Sequence, residues 1–189
     1  MKKRFSSLML GFALLLAGCR EEVARSVAPV ELTPEALGHY CQMNLLEHPG
    51  PKAQVHIDGP APAPLFFSQV RDAVAYARLP EQSAAILAIY VNDMGAEGAT
   101  WETPGTTNWI AADSAFYVVG AAVEGGMGAP ELVPFSKRKQ AEAFVAQHGG
   151  AVLSLKDIPD AAVITPVDSA PQDADFDARL RALSAKTGG

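Results

Sequence analysis

The sequence predicts an α+β protein made of two ββαβ halves, each built on a small antiparallel sheet. Three observations lead there. First, Phe67-Ser68-Gln69-Val70-Arg71-Asp72-Ala73-Val74-Ala75-Tyr76 matches Phe135-Ser136-Lys137-Arg138-Lys139-Gln140-Ala141-Glu142-Ala143-Phe144 at the Phe, the Ser, both Ala and the closing aromatic. Self-similarity within a chain marks a repeated supersecondary unit. Second, each copy runs into a helix break, Leu79-Pro80 or Gly149-Gly150, and then into an apolar strand. Third, each copy is preceded by two short apolar stretches around a Pro- or Gly-rich turn, the pattern of a hairpin. Strands and helices in this mixture belong to the α+β class.

In the first half, Cys41–Leu46 and Ala53–Ile57 read as a hairpin around His48-Pro49-Gly50-Pro51. Ser68 is placed as an N-cap of the helix that follows, and Ala85–Val91 closes the unit. In the second half, Ala115–Val123 and Glu131–Phe135 flank Gly125-Gly126-Met127-Gly128. Ser136 then caps a helix, and Ala151–Leu155 is the last strand. The halves span 37–98 and 108–158, joined by a Gly-, Pro- and Thr-rich connector that Trp101 and Trp109 flank. Lys137-Arg138-Lys139 reads as a solvated helix face, and His148 as a last-turn residue facing the negative end of the helix dipole.

The N-terminus carries Lys2, Lys3 and Arg4, an apolar run from Phe5 to Leu16, and then Leu16-Ala17-Gly18-Cys19. That is a secretory leader ending in a lipobox rather than a spanning helix. Residues 1–18 are expected to be removed and Cys19 to carry diacylglycerol and an acylated amine. Each buried CH₂ is worth about 0.8 kcal/mol, so several chains on one residue anchor durably. The expected location is the periplasmic side of a bacterial membrane; Arg20, next in the chain, does not choose the leaflet. No later apolar run nears the roughly 20 residues of a span. Residues 19–36 read as a tether, and 159–189 as a mobile acidic tail with a short helix at 175–185. The formal net charge of −6 leaves nucleic acid without an electrostatic footprint.

Of two cysteines, lipidation uses Cys19 and leaves Cys41 alone. Outside the cytoplasm a lone thiol is either hidden or used. On a strand, period two would put Cys41 and Met43 on one face. Both types are common in cores, so burial is one reading of the pair. Met127, however, sits among glycines in Gly-Gly-Met-Gly, where its own hairpin offers little packing. His39 and His48 flank the thiol and His56 follows. If the halves face each other, Cys41, Met43 and Met127 can converge, and such soft sulfur ligands select Cu(I). Zinc would want four ligands in paired spacings that this chain lacks. Enzyme signatures are thin: there is no Gly-x-Ser-x-Gly elbow or phosphate-binding loop. A Cys41–His dyad has no third residue to orient it.

The combination Leu16-Ala17-Gly18-Cys19, Cys41-Gln42-Met43-Asn44, His48-Pro49-Gly50, Phe66-Phe67, Trp109–Val118, Gly126-Met127-Gly128 and Pro134-Phe135 resembles the nitrous-oxide reductase accessory lipoproteins of the NosL type. The resemblance runs from about Leu37 to Ile158. It implies a Cu(I) chaperone supporting maturation of the copper-sulfide centre of nitrous-oxide reductase, working with a membrane ABC-type assembly complex. It also implies a duplicated ββαβ fold similar to part of organomercurial lyase. Carried over by position, the implied metal ligands are Cys41, Met43 and Met127, with His39, His48 or His56 open as a fourth. Where the family's pattern reads Cys-x-x-Cys-Gly-Met, Gly38 and Gln42 replace the first Cys and the Gly. The lyase likeness raises carbon–metal bond cleavage, which needs two thiols, and Cys41 is one. A further alternative is a structural adaptor of the assembly complex that holds no metal of its own.

Overall fold

The computed structural model describes residues 27–59 and 63–165. The leader, Cys19 and the helix expected at 175–185 lie outside the described residues. Strand β1 (Ala53–Ile57) pairs antiparallel with β2 (Leu65–Phe67) on one side and β3 (Ile86–Asn92) on the other, and β4 (Trp109–Ala111) adds to β3, giving the order β2-β1-β3-β4. A second sheet has β5 (Phe116–Val119) between β6 (Val133–Phe135) and β7 (Ala151–Ser154), again antiparallel throughout. Helix α1 (Val70–Arg78) connects β2 to β3, and α2 (Arg138–His148) connects β6 to β7. The chain is thus a mixed α/β protein with two small sheets and two helices, its connections running in the same order in both halves. No helix among the described residues is long and apolar enough to cross a membrane.

Strand β1 shows why this architecture forms. Ala53 and Val55 alternate with Gln54 and His56, so one face is apolar and the other polar. The apolar residues join Phe67, Val70, Ala73, Val74 and Tyr76 in the main core. The polar face is covered by the chain's N-terminal segment. The Gln54 carboxamide accepts from the Val30 N–H and donates to the Val30 carbonyl, both at 2.9 Å, and His56 Nε2 lies 2.9 Å from Gln54 Oε1. The Tyr90 hydroxyl donates to Val27 O at 2.6 Å, and Leu32 is buried with Ala36 and Leu45. Residues 27–36, expected as tether, therefore lie on the fold, because Leu32 and Ala36 have apolar surface to bury.

The C-terminal end likewise stays folded past Ile158. Ile158 and Val163 enter the main core, and Arg71 donates to the carbonyls of Val163 and Thr165. Arg78 donates to Ile158 O and Leu155 O and pairs with Asp160.

Two local expectations need correction. Cys41–Leu46 is not a strand: it is a turn running into a 3-10 segment at Leu45–Glu47. β1 takes its hairpin partner instead from β2, a three-residue strand too short to announce itself. Ser68 and Ser136 are not the N-caps: the caps are Gln69 and Lys137, and neither side chain accepts a backbone N–H of its own helix. For α1 that task falls to Glu131 from the other half, whose carboxylate accepts the N–H groups of Val70 and Arg71 at 3.3 and 3.0 Å. The first turn of a helix leaves such donors without intrahelical partners. As the spacing indicates, α2 ends at His148, with Gly149 beyond it at φ +74°, and Lys137, Arg138 and Lys139 are exposed.

Candidate metal centre

Cys41 and Met43 sit in a loop closed at its neck by a bridge between Leu37 and Asn44. Inside it, Gly38 N–H donates to Met43 O at 3.0 Å and Gln42 N–H to Gly38 O at 2.9 Å. Gln42 has φ +55°, a left-handed conformation that costs a side-chain-bearing residue about 1 kcal/mol. Its carboxamide offsets this by donating to Gly38 O and His39 O at 3.2 and 2.7 Å. The same-face reasoning for Cys41 and Met43 fails with the strand, and the two residues share a turn instead. The thiol is free and half-buried, with Sγ 4.0 Å from Met43 O, while Met43 is exposed. Cys41 Sγ lies against Gly38, so that a Cβ there would run into the sulfur.

Aromatic packing pins the loop. His39 donates its N–H to Phe66 O at 2.6 Å, and its ring lies 5.3–5.5 Å from those of Tyr40, Phe67 and Tyr76. The Tyr40 hydroxyl donates to the Glu81 carboxylate, and burial pushes this phenol up from its ordinary value. Beyond the loop, Lys52 is buried and donates to the carbonyls of Pro49 and Gly50. Burial lowers its ammonium to about 8, while Glu131 and Cys41 pull it back up.

Met127 occupies the tip of a turn closed by Gly128 N–H to Gly125 O at 2.9 Å, and its side chain is exposed. The tip is seated on the first half. His48 Nδ1 lies 3.0 Å from Gly126 O, and a Cβ on Gly126 would come within 2.6 Å of His48 Cβ and 3.0 Å of Pro49 O. Glycine is needed here because two backbones meet. Met127 N–H donates to Gln69 Oε1 at 2.9 Å. The structure therefore seats the Met127 turn on the His48–Pro49 segment that leads out of the Cys41 loop.

The three open histidines now differ. His56 is on β1, engaged with Gln54 and lowered in pKa by burial, and the His39 ring lies in the aromatic cluster. His48 has a buried Nε2 with no hydrogen-bond partner. Its Nδ1 faces a carbonyl, which fixes the proton there and leaves the Nε2 lone pair free, the arrangement a ligating imidazole uses. Among the described residues, no three His, Cys, Asp or Glu side chains group closely enough to hold a metal. Sequence reasoning missed Gln69, Glu131 and Lys52, which no spacing rule singles out.

The NosL family model matches residues 29–163. The chain belongs to the NosL family. The matched span starts inside the N-terminal segment that lies on β1 and ends at Val163, in agreement with the limits of the core. A copper-binding lipoprotein NosL from Achromobacter cycloclastes is 62% identical over 194 residues, covering all of both chains. One of the same description from Stutzerimonas stutzeri is 35% identical over 156 residues, covering 82% of this chain and 78% of that protein. The crystal structure of the copper chaperone NosL from Shewanella denitrificans superposes with a TM-score of 0.64 at 30% identity, over 71% of this chain and 97% of that one. These relatives are named for binding or carrying copper, not for catalysis.

Proposed function

We propose that this NosL-family protein is a lipid-anchored Cu(I) carrier of the periplasmic face, attached through Cys19. It binds one ion through the Cys41 thiolate and the Met43 and Met127 thioethers, and gives it up by ligand exchange. The observation that carries this reading is the seating of the Met127 turn on the segment leading out of the Cys41–Met43 loop. A thiolate with thioethers is a soft donor set that prefers Cu(I) to harder divalent ions. His48, with its unpartnered Nε2, is the imidazole best placed to complete the set. Both thioethers are exposed, so an incoming ligand can reach the metal before the donor lets go. The recipient, following the family resemblance, is the assembly route of the copper-sulfide centre of nitrous-oxide reductase, with its ABC-type membrane complex. The matched order of connections in the two halves supports the duplicated ββαβ unit that the family resemblance implies.

The test is an anaerobic Cu(I) competition titration with a colorimetric chelator, on the mature chain made soluble by Cys19→Ala. The parent is expected to bind one equivalent, with loss of about 100-fold in affinity for Cys41→Ser and about tenfold for Met127→Ala, roughly 2.7 and 1.4 kcal/mol. A parent that fails to compete for copper would overturn the carrier and leave the adaptor without metal.

A further inference from the structure

We propose that Gln69 is a positioning residue for Met127: its carboxamide holds the hairpin tip where the thioether meets copper. This rests on the reading of Met127 as a ligand and adds what fixes that ligand in space. Gln69 Oε1 accepts from Met127 N–H at 2.9 Å and from Ala129 N–H at 3.4 Å. Its Nε2 donates to Asp72 Oδ2, in the first turn of α1, at 3.2 Å. One amide thus ties the tip of the second half to the helix of the first. Gln69 is only 2% exposed, and a buried amide engaged at both ends has one orientation open to it.

The neighbouring contacts leave the tip no slack. Gly125 lies so close to Gln69 that a Cβ would come within 2.7 Å of Oε1. Glu131, six residues along the same hairpin, reaches back to the N–H groups of Val70 and Arg71. The helix therefore gives a side chain to the hairpin, and the hairpin returns one to the helix. Helix initiation does not account for Gln69. Its counterpart in the second half is Lys137, which begins α2 from solvent, and Gln is not among the favoured N-caps.

The experiment uses the mature Cys19→Ala chain and its Gln69→Leu variant, which keeps bulk but removes both acceptor and donor. Cu(I) affinity is expected to fall about tenfold, as for Met127→Ala, and the double variant to be no weaker than either single one. Residues acting as one unit are non-additive in this way. The mature chain holds three methionines, Met43, Met94 and Met127, so their ¹³C-methyl resonances can be followed singly. On adding one equivalent of Cu(I), the Met127 methyl should shift in the parent and stay put in Gln69→Leu, while that of Met43 shifts in both. A purely structural role would lower stability without moving these readouts. Parent-like affinity in Gln69→Leu, or losses that multiply in the double variant, would overturn the proposal. If Met127→Ala alone leaves affinity unchanged, the copper reading of Met127 fails instead. Should Gln69→Leu not fold, as judged from the half-buried Met94 methyl packed against the smaller core cluster, Gln69→Asn carries the same expectations, since its amide is one methylene too short to reach the tip.

Discussion

Helices α1 and α2 hold corresponding places in their halves and differ sharply in what they bury. Six of the nine residues of α1 are buried, including Val70, Val74 and Tyr76, whereas α2 buries only Ala141 among eleven. The cause lies in the layers. α1 packs under the four-stranded sheet and is roofed by Ile158 and Val163, while α2 covers a three-stranded sheet from outside. The N-terminus of α1 is closed by Glu131, and that of α2 stands in solvent behind three basic residues. One half is a foundation and the other a plate that delivers a hairpin to it. The shared sequence pattern of the two helices hides this, because it records local amphipathicity and not what a neighbour later covers.

The sharpest way to break the contrast is to remove the closing aromatic of each helix. Tyr76→Ala should cost about 3–5 kcal/mol, as large-to-small changes in a closed core do, because Tyr76 is 3% exposed beside Phe67. Phe144→Ala, half-buried in the smaller cluster, should cost about 1 kcal/mol. Urea denaturation of both variants tests this, and equal losses would refute the asymmetry.

The seam between the halves predicts a pH dependence. Burial raises Glu131 to about 8 from its ordinary 4.5. An acid held protonated in the fold contributes stability that is whole below its unfolded pKa and lost as pH climbs through the folded one. Stability should therefore decline between about pH 4.5 and 8. Asp72, also raised by burial, adds in the same direction, and His56, lowered by burial, opposes it at the acid end. Lys52, lowered to about 8, then restores stability between about 8 and 10.5 as its proton leaves, placing a minimum near pH 8. Glu131→Gln isolates the first limb: its denaturation midpoint should decline less across pH 5–8 than the parent's. An unchanged slope would mean that Glu131 does not titrate there.

A smaller effect separates two glycines of the Met127 turn. Gly126→Ala must push against His48 and the Pro49 backbone and should cost about 1–3 kcal/mol. Gly128→Ala meets open space but has φ +75°, so only about 1 kcal/mol of backbone strain is expected. Reversal of that order in thermal melts would mean that the tip is not seated on the first half.

How much of this the sequence revealed depends on the range of the signal. Ala53–Ile57 and the strands near 86–92 and 151–154 were legible because alternation or an apolar run reports burial directly. So was the end of α2, where two glycines follow His148. The Cys41 segment misled, since its apolar alternation comes from a turn whose side chains are set by Gln42 and Asn44 rather than by pleating. At the candidate site, residue chemistry and family resemblance nominated Cys41, Met43 and Met127. Gln69 and Glu131, which bond the Met127 N–H and the start of α1 from the opposite half, act across about 60 residues, and no local pattern reports such a partner. What separates the three histidines is an atom-level fact, the unpartnered Nε2 of His48.

The hydrogen bond from Tyr90 to the Val27 carbonyl also sets a length scale. If Cys19 carries the anchor, eight residue steps separate it from the first point held by the fold, a leash of at most about 28 Å. That is about the diameter of a small domain. A carrier on so short a leash would search for its recipient along the bilayer in two dimensions, its cargo held within the leash plus the breadth of the fold from the lipid. A recipient site farther out must come down to the membrane to be loaded.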